Sequence, residues 1–433
     1  MRYYSLGKRS PDVDFRTATM QGQAPDKGLY FPESIPAWDK PFIETLAKMD
    51  NEELGFRVMS PFVGNSIPED ILHLIIRETL SFDIPLVPVT DDISSLELFH
   101  GPTLAFKDVG ARFMSRCLGY FARDKGERIV VLVATSGDTG GAVANGFYGV
   151  PGVDVVILYP SGKVSTVQEK QLTTLGRNIH ALEVSGNFDD CQRMVKSAFA
   201  DTVLTEKIFL TSANSINVAR WLPQQLYYLL AWQQWPDKSA PPVISVPSGN
   251  FGNICAGMMA WRSGLPVSHF IAACNANDTV PRFMKGDGYL PNQAVPTISN
   301  AMDVADPSNF VRILEIFSHD RTPLGDMLSS ISISDDETSL TIRQVHHDTG
   351  YLLDPHGAIG YLALKRWQES HPGDKGYFLE TAHPVKFPES VEKATGQSIE
   401  IPPHVKPIME GIKQSTPIPA EYEALAAFLQ RFE

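Results

Sequence analysis

Short runs of apolar and β-branched residues alternate with helix-like segments along most of the chain. The runs lie at 129–134, 153–159, 179–184, 208–210, 243–246, 270–273 and 376–379. The stretches between them have helical patterning and are too long for two-residue hairpin turns, which indicates parallel strands joined by helices. An α/β fold built from open parallel sheets is therefore expected for the larger part of the chain.

Residues 1–92 show a different pattern. Helical periodicity appears at 42–49 and 69–81, and no series of strands is visible. We therefore predict a helical N-terminal domain over 1–92, followed by α/β domains over 93–240 and 241–433. Near 285–335 the pattern weakens into Gly, Pro, Ser and Asn, which predicts an irregular insertion in the last domain.

The composition is that of a globular protein with ample material for a core. The chain has 433 residues, 43% of them hydrophobic and 20% charged, which suits two or three domains. Its net charge of −13 argues against nucleic acid or an anionic membrane as a general partner. The N-terminus lacks the apolar run of a signal peptide, and no apolar stretch approaches the ~20 residues that span a bilayer. These features predict a cytoplasmic protein.

The four cysteines are widely scattered and form no Cys-x-x-Cys pair. That spacing suits reduced, buried thiols better than a disulfide framework or a zinc site. We therefore expect no structural metal, and the chemistry of the protein has to come from other motifs.

A glycine-rich segment, 247–253, follows the apolar run at 242–246 and precedes the helical pattern at 254–262. Backbone N–H groups converge at such a strand-to-helix junction, where the positive end of the helix dipole favours a phosphate. Its glycines, Gly249 and Gly252, lie three residues apart, with the side-chain amides of Asn250 and Asn253 between and after them. The alternative is an ordinary glycine-rich turn.

Two further polar motifs precede predicted helices. In the first, at 97–108, Lys107 lies close to a helix N-terminus, which disfavours an ammonium and lowers a lysine pKa. In the second, at 133–141, the hydroxyls of Thr135, Ser136 and Thr139 suit a carboxylate. The alternatives are a surface lysine followed by an Asp108 cap, and a helix-capping turn. No dinucleotide or P-loop motif is present.

Taken together, these motifs resemble the threonine synthase family of pyridoxal 5'-phosphate enzymes. The resemblance extends from residues 3–5 to near the C-terminus and implies the tryptophan synthase β-like fold, known as PLP fold type II, in its longer branch with an N-terminal domain. The segments that carry it are 28–32, 60–62, 100–108, 135–140, 247–253 and 380–384.

The resemblance assigns roles around the cofactor. Lys107 would bind it covalently with Phe106 alongside, residues 249–253 would hold its phosphate, and Thr381 would face the pyridine nitrogen. The loop that contains Thr135, Ser136, Asp138 and Thr139 would bind the substrate carboxylate. Shorter relatives carry an asparagine where Asp138 stands.

The segment 214–220 resembles the part of the family that receives a substrate phosphate. Arg220 offers a planar fork of donors suited to phosphate, with Asn214 and Ser215 in support. Its alternative is a surface salt bridge. Lys163, at another strand-to-helix junction, would reach an anion or remain a solvated loop residue.

The implied activity is that of a lyase that converts O-phospho-L-homoserine and water to L-threonine and phosphate. One alternative is a phospho-lyase on the same scaffold that releases a keto acid and ammonia. Another, of a different class, is a catalytically silent metabolite-binding protein. The sequence leaves the oligomeric state open between monomer and homodimer.

Overall fold

The computed structural model of the chain describes residues 1–125 and 128–433. Its strands are β1 Tyr3–Ser5, β2 Tyr30–Pro32, β3 Leu86–Pro88, β4 Ile93–Glu97, β5 Ile129–Ala134, β6 Val153–Pro160, β7 Ile179–Ser185, β8 Phe209–Thr211, β9 Val243–Pro247, β10 His269–Cys274, β11 Leu328–Ser332, β12 Gly376–Glu380 and β13 Ser415–Pro419. All the strands predicted from the apolar runs are present.

The helices include those predicted from the sequence periodicity. They are α1 Phe15–Gln21, α2 Lys40–Thr45, α3 Asn51–Val63, α4 Glu69–Thr79, α5 Lys107–Lys125, α6 Asp138–Phe147, α7 Thr166–Thr173, α8 Phe188–Ala200, α9 Thr202–Lys207, α10 Val218–Trp221, α11 Gln225–Gln234, α12 Gly252–Ser263, α13 Thr279–Met284, α14 Phe310–Ile316, α15 Arg321–Met327, α16 Asp335–Thr349, α17 Pro355–Ser370, α18 Pro388–Thr395, α19 Lys406–Glu410 and α20 Tyr422–Leu429. Within residues 1–125 and 128–433, none of the helices combines the length and the apolar character that a membrane-spanning helix needs.

Two parallel sheets form the body of the protein. The larger has six strands in the order β11-β10-β9-β12-β4-β3, and only its edge pair β3-β4 is antiparallel. The smaller has five parallel strands in the order β13-β7-β6-β5-β8. Strands β5, β6, β9, β10 and β12 are almost wholly buried, as expected for parallel strands covered by helices on both faces. The predicted α/β fold with two open parallel sheets is confirmed.

The sheets do not follow the predicted domain boundaries. Strands β3 and β4, on either side of residue 92, both pair within the six-stranded sheet, whereas β13 near the C-terminus joins the five-stranded sheet. The N-terminal part is also not wholly helical, because β1 and β2 form an antiparallel pair. Pairing between strands this far apart in the sequence leaves no local signal from which it could be predicted. The division of the chain into three domains stays a prediction.

The segment near 285–335, predicted to be an irregular insertion, is ordered in part. It contains α14, α15 and β11, and β11 pairs in parallel with β10 at the edge of the larger sheet. The sequence of β11, Leu-Ser-Ser-Ile-Ser, lacks the apolar run of a central strand because this edge position is only partly buried.

Four of the predicted site motifs begin where a parallel strand ends. Segments 98–107, 135–139, 248–251 and 381–383 directly follow the carboxyl ends of β4, β5, β9 and β12. Carboxyl ends of parallel strands are where open α/β sheets place their ligand sites. The topology therefore brings together motifs that are as much as 285 residues apart in the sequence, from 98 to 383.

A buried arginine connects the N-terminal part to this edge. The Nε and Nη2 atoms of Arg312 donate to Tyr30 O at 3.2 and 2.8 Å, and Nη2 also donates to Ile216 O at 2.7 Å. Its Nη1 donates to Asn309 Oδ1 at 2.6 Å, and the guanidinium lies 4.9 Å from the ring centroid of Trp221. Burial lowers the pKa of Arg312 to about 9.

We predict that Arg312→Met destabilises the protein by about 3 kcal/mol or more, because it removes the donor to two buried acceptors and to the partly buried Ile216 O. Denaturant unfolding of the cofactor-free protein measures the loss. Arg262→Met on α12 removes an exposed guanidinium and serves as the matched control, with a change of less than about 0.5 kcal/mol. Equal stability of the two variants would contradict a structural role for Arg312.

Candidate active site

The turn that carries Lys107 is fixed on both sides by hydrogen bonds. Asp108 accepts from the amide and the hydroxyl of Thr103 at 2.9 and 2.5 Å. The amide of Phe106 donates to Thr381 O at 2.9 Å, and the Tyr227 hydroxyl donates to Phe106 O. Asp108 is buried, so it holds the turn closed instead of capping an exposed helix.

Lys107 begins α5 and lies half-buried, with its Nζ 5.7 Å from the ring centroid of Phe106. Burial lowers the pKa of Lys107 to about 8, and the positive charges of Lys386 and Arg220 contribute while Asp138 opposes them. Among the described residues, its Nζ has no hydrogen-bond acceptor. An amine with these properties suits covalent attachment to a carbonyl.

The glycine-rich loop presents unpaired amides at the start of α12. Within the described chain, the amides of residues 249–253 donate to no protein acceptor. Phe251 adopts a left-handed conformation, with φ of 61°, that is uncommon for a residue other than glycine. A Cβ at Gly249 would lie 2.7 Å from the Cα of Met302, so only glycine fits there. These features fit an anion such as the phosphate of pyridoxal phosphate.

Asn250 anchors this loop to two other segments. Its Nδ2 donates to Ser215 Oγ at 2.6 Å, and its Oδ1 accepts from the Ser308 amide at 2.6 Å. Asn309 Nδ2 donates to Asn250 O at 3.0 Å. The Asn253 side chain binds the end of β9, where its Nδ2 donates to Pro247 O at 2.8 Å. Ser215, predicted to help bind the substrate, therefore also supports the glycine-rich loop.

The loop after β5 contains polar side chains that are bonded within the loop and others that are not. The Thr135 hydroxyl accepts from the amides of Gly137 and Gly140 at 3.0 and 2.9 Å, so it is engaged within the loop. Ser136 and Thr139 are partly exposed, and neither has a side-chain partner among the described residues. Of the predicted carboxylate ligands, these two are the ones with free hydroxyls.

Asp138 is paired with a lysine that no sequence motif singled out. Its Oδ1 lies 2.9 Å from Lys386 Nζ and accepts from Gln168 Nε2 at 2.9 Å. Burial alone would raise the pKa of the Asp138 carboxyl, but Lys386 and Lys107 more than offset burial and hold it below its usual range. Lys386 follows the 380–384 motif by two residues, and that position is its only local signal.

Arg220 lies inside the protein, with 2% of its surface exposed, which excludes the surface salt bridge as its role. Its Nη1 donates to Ala213 O, while its Nε is buried without an acceptor among the described residues. Burial lowers the pKa of Arg220 to about 10. Asn214, six residues before Arg220, is partly buried. Lys163 is exposed and is not among the described charges that shift the pKa of Lys107.

Glu380, the residue before Thr381, belongs to a buried acidic cluster. Glu380 Oε1 accepts from the Asp354 amide at 2.7 Å, and Asp354 Oδ1 contacts His356 Nδ1 at 2.5 Å. His356 Nε2 accepts from the Ala301 amide at 3.3 Å, which places the ring proton on Nδ1. Burial raises the pKa of Glu380 well above its usual range, and the charges of Asp354 and Glu97 raise it further.

Comparison with known proteins agrees with this geometry. The pyridoxal-phosphate-dependent enzyme family model matches residues 95–379, and models of the threonine synthase N-terminus and C-terminus match 2–80 and 357–429. A threonine synthase from Serratia marcescens is 45% identical over 430 residues, which are 99% of each chain. The chain belongs to the threonine synthase family.

Solved structures of that family superpose over the whole chain. The crystal structure of threonine synthase from Escherichia coli has a TM-score of 0.92 at 42% identity and covers 100% of both chains. The PLP-bound threonine synthase from Brucella melitensis has a TM-score of 0.95 at 35% identity and covers 100% of this chain and 99% of its own. The predicted family, fold type, enzyme class and cofactor are thereby confirmed, whereas the roles of individual residues stay predictions.

We predict that Glu380→Gln removes a pH dependence of stability. Because the pKa of Glu380 is raised on folding, folding takes up a proton above pH ~4.5, and the wild type loses up to about 1.4 kcal/mol per pH unit above that value. A neutral glutamine has no such loss, so the stability of the variant relative to wild type should rise steadily from pH 5 to 8. Denaturant unfolding at each pH tests this, and a constant difference would contradict a protonated Glu380.

Proposed function

We propose that the chain converts O-phospho-L-homoserine and water to L-threonine and phosphate, with Lys107 as the residue that binds pyridoxal phosphate. The observation that carries the assignment is the half-buried Lys107 at the same sheet edge as five amides that donate to no acceptor among the described residues. The amine would hold the carbonyl end of the cofactor and the amides of residues 249–253 its phosphate.

Bound pyridoxal phosphate supplies an electron sink for charge left on the substrate when its Cα and Cβ lose protons. Lys107 is the residue that takes and returns those protons at Nζ. A pKa near 8 lets the amine exchange protons in either direction close to neutral pH. Thr381 provides a neutral hydroxyl at the carboxyl end of β12 rather than a carboxylate.

The remaining residues would bind and orient the substrate. Ser136 and Thr139 offer free hydroxyls for the carboxylate. Arg220 would bind the phosphate group, because among the described residues its buried guanidinium has no acceptor for Nε and forms no ion pair with a carboxylate. A desolvated guanidinium strengthens such a contact since water does not compete for the anion. Asn214 would assist, and Lys163 stays a weaker candidate because it is exposed.

We further propose that the protein is cytoplasmic, acts as a monomer or homodimer and binds no nucleic acid. Its net charge of −13 is the support for the absence of nucleic acid binding, and its four free, buried cysteines are the support for a cytoplasmic location. The decisive assay of function incubates the protein with O-phospho-L-homoserine and follows phosphate and L-threonine together. Equal yields of both support the proposal. Phosphate with a keto acid and ammonia would assign the phospho-lyase reaction instead.

Lys107→Ala should abolish both turnover and the visible absorbance of covalently bound cofactor, while unfolding remains cooperative. Lys196→Ala removes an exposed lysine on α8 and should behave as wild type. Borohydride reduction followed by peptide mapping identifies the modified residue directly. A pyridoxyl group found on a lysine other than Lys107 would refute the assignment.

Arg220→Ala should lower kcat/KM for O-phospho-L-homoserine by about two orders of magnitude or more, because loss of a desolvated guanidinium–phosphate contact costs ~2–5 kcal/mol. Cofactor content should remain normal, and Arg220→Lys should recover activity only in part, since an ammonium lacks the planar fork. Arg128→Ala is the matched control, because Arg128 pairs with Asp154 at 2.6 Å at the opposite end of β5. Loss of cofactor from Arg220→Ala would instead place Arg220 at the cofactor.

A further inference from the structure

Lys386 is a buried ammonium whose hydrogen-bonding capacity is fully used. The residue has 0% of its surface exposed. Its Nζ lies 2.9 Å from Asp138 Oδ1 and donates to Thr103 O at 2.7 Å and to Gln171 Oε1 at 3.1 Å. An ammonium has three donors, and here each has an acceptor. Lys386 therefore has none left for a ligand.

The three acceptors come from three separate segments. Thr103 lies in the turn that Asp108 fixes just before Lys107, Asp138 begins α6 after the 135–137 loop, and Gln171 lies on α7. Lys386 itself follows β12 of the larger sheet, whereas α6 and α7 flank strands of the smaller sheet. One side chain thus joins the end of one sheet to loops of the other.

Helix α7 reinforces the same junction. Gln171 Nε2 donates to Thr103 O at 3.0 Å, and Gln168, one turn earlier, donates to Asp138 Oδ1 at 2.9 Å. The loop packs closely on this helix, because a Cβ at Gly137 would lie 2.5 Å from the Gln168 side chain. Every partner of Lys386 is held by a second contact, so the position of each depends on the others.

We propose that Lys386 is a positioning residue that fixes the Lys107 turn and the loop 135–139 relative to each other, with Asp138 as its counter-ion rather than a ligand of the substrate. The inference rests on the proposed function, in which Lys107 reacts and the loop binds the substrate carboxylate. Replacing a buried ion pair by apolar groups is often neutral for stability. The pair is therefore better explained by the geometry that it imposes.

The pair also acts on the charge of Lys107. Among the described residues, Asp138 raises the pKa of that amine, whereas Lys386 and Arg220 lower it. Removing only Asp138 should therefore lower the pKa of Lys107, and removing only Lys386 should raise it. Removing both should leave it close to the wild-type value, because the two effects have opposite signs.

The test compares Asp138→Asn, Lys386→Met and the double variant. Each single change leaves one partner buried without the other, so both should lower the melting temperature and raise KM for O-phospho-L-homoserine at least tenfold. The double variant restores charge balance and should recover most of the melting temperature but not KM. Lys413→Met is the matched control, because it removes a partly exposed ammonium that pairs with Glu169 and Glu183 at 2.7 Å.

Recovery of wild-type KM in the double variant would overturn the proposal, since the pair would then only neutralise charge. A raised KM in Asp138→Asn with unchanged KM in Lys386→Met would also overturn it and make Asp138 a substrate ligand.

A second readout does not require turnover. The rate at which the cofactor-free protein takes up pyridoxal phosphate should rise with pH as Lys107 loses its proton. That rise should move to lower pH in Asp138→Asn, to higher pH in Lys386→Met and stay near wild type in the double variant. Identical profiles in all four proteins would refute the coupling. If these pH shifts are observed but the wild type does not turn over O-phospho-L-homoserine, the proposed substrate is wrong and the coupling to Lys107 still holds.

Discussion

Buried positive charge is the constraint on which the rest of the site depends. Arg220 and Lys386 are removed from water and Lys107 is half-buried, and burial lowers the pKa of Lys107 to about 8 and that of Arg220 to about 10. Of the nearby carboxylates, Asp138 pairs with Lys386, and burial raises the pKa of Asp108 to about 6. Even with both carboxylates ionised, the three cations outnumber them, and an entering anion would supply the compensation that water no longer provides. A protein with net charge of −13 can in this way bind anionic ligands.

Such a site requires loops from two sheets to stay in fixed relative positions. Hydrogen bonds within a sheet cannot do this, because each ladder orders only its own strands. The connections are instead side chains that bind main-chain carbonyls of distant segments. Tyr227 binds the turn before Lys107, and Arg312 binds the first residue of β2 and the segment before α10. Through Asn309, Arg312 also reaches Asn250 in the glycine-rich loop. The N-terminal part of the chain thus contributes to the position of the loop that is proposed to hold the cofactor.

The sequence predicted the features that depend on neighbouring residues. Central strands such as β5 and β6 are recognisable as apolar runs, and the motifs around Lys107 and Gly249 lie at strand-to-helix junctions as expected. Pairing between distant strands was not predictable, which is why β4 and β13 lie in sheets other than those their domain assignments implied. Lys386 was missed for the same reason: its partners Thr103, Asp138 and Gln171 are more than 200 residues away, so no local pattern marks it.

The number of hydrogen-bond donors already in use distinguishes the buried cations that maintain the structure from those available to ligands. Arg312 directs four hydrogen bonds to three acceptors, and Lys386 uses all three of its donors, so neither has much to offer a ligand. Lys107 has no acceptor among the described residues, and Arg220 retains an unpaired Nε. Since an unpaired buried donor is destabilising, it persists where a bound partner completes it. By this criterion of free donors, Lys107 and Arg220 are the residues proposed to bind ligands. Arg312 and Lys386 are those that hold the surrounding segments in place.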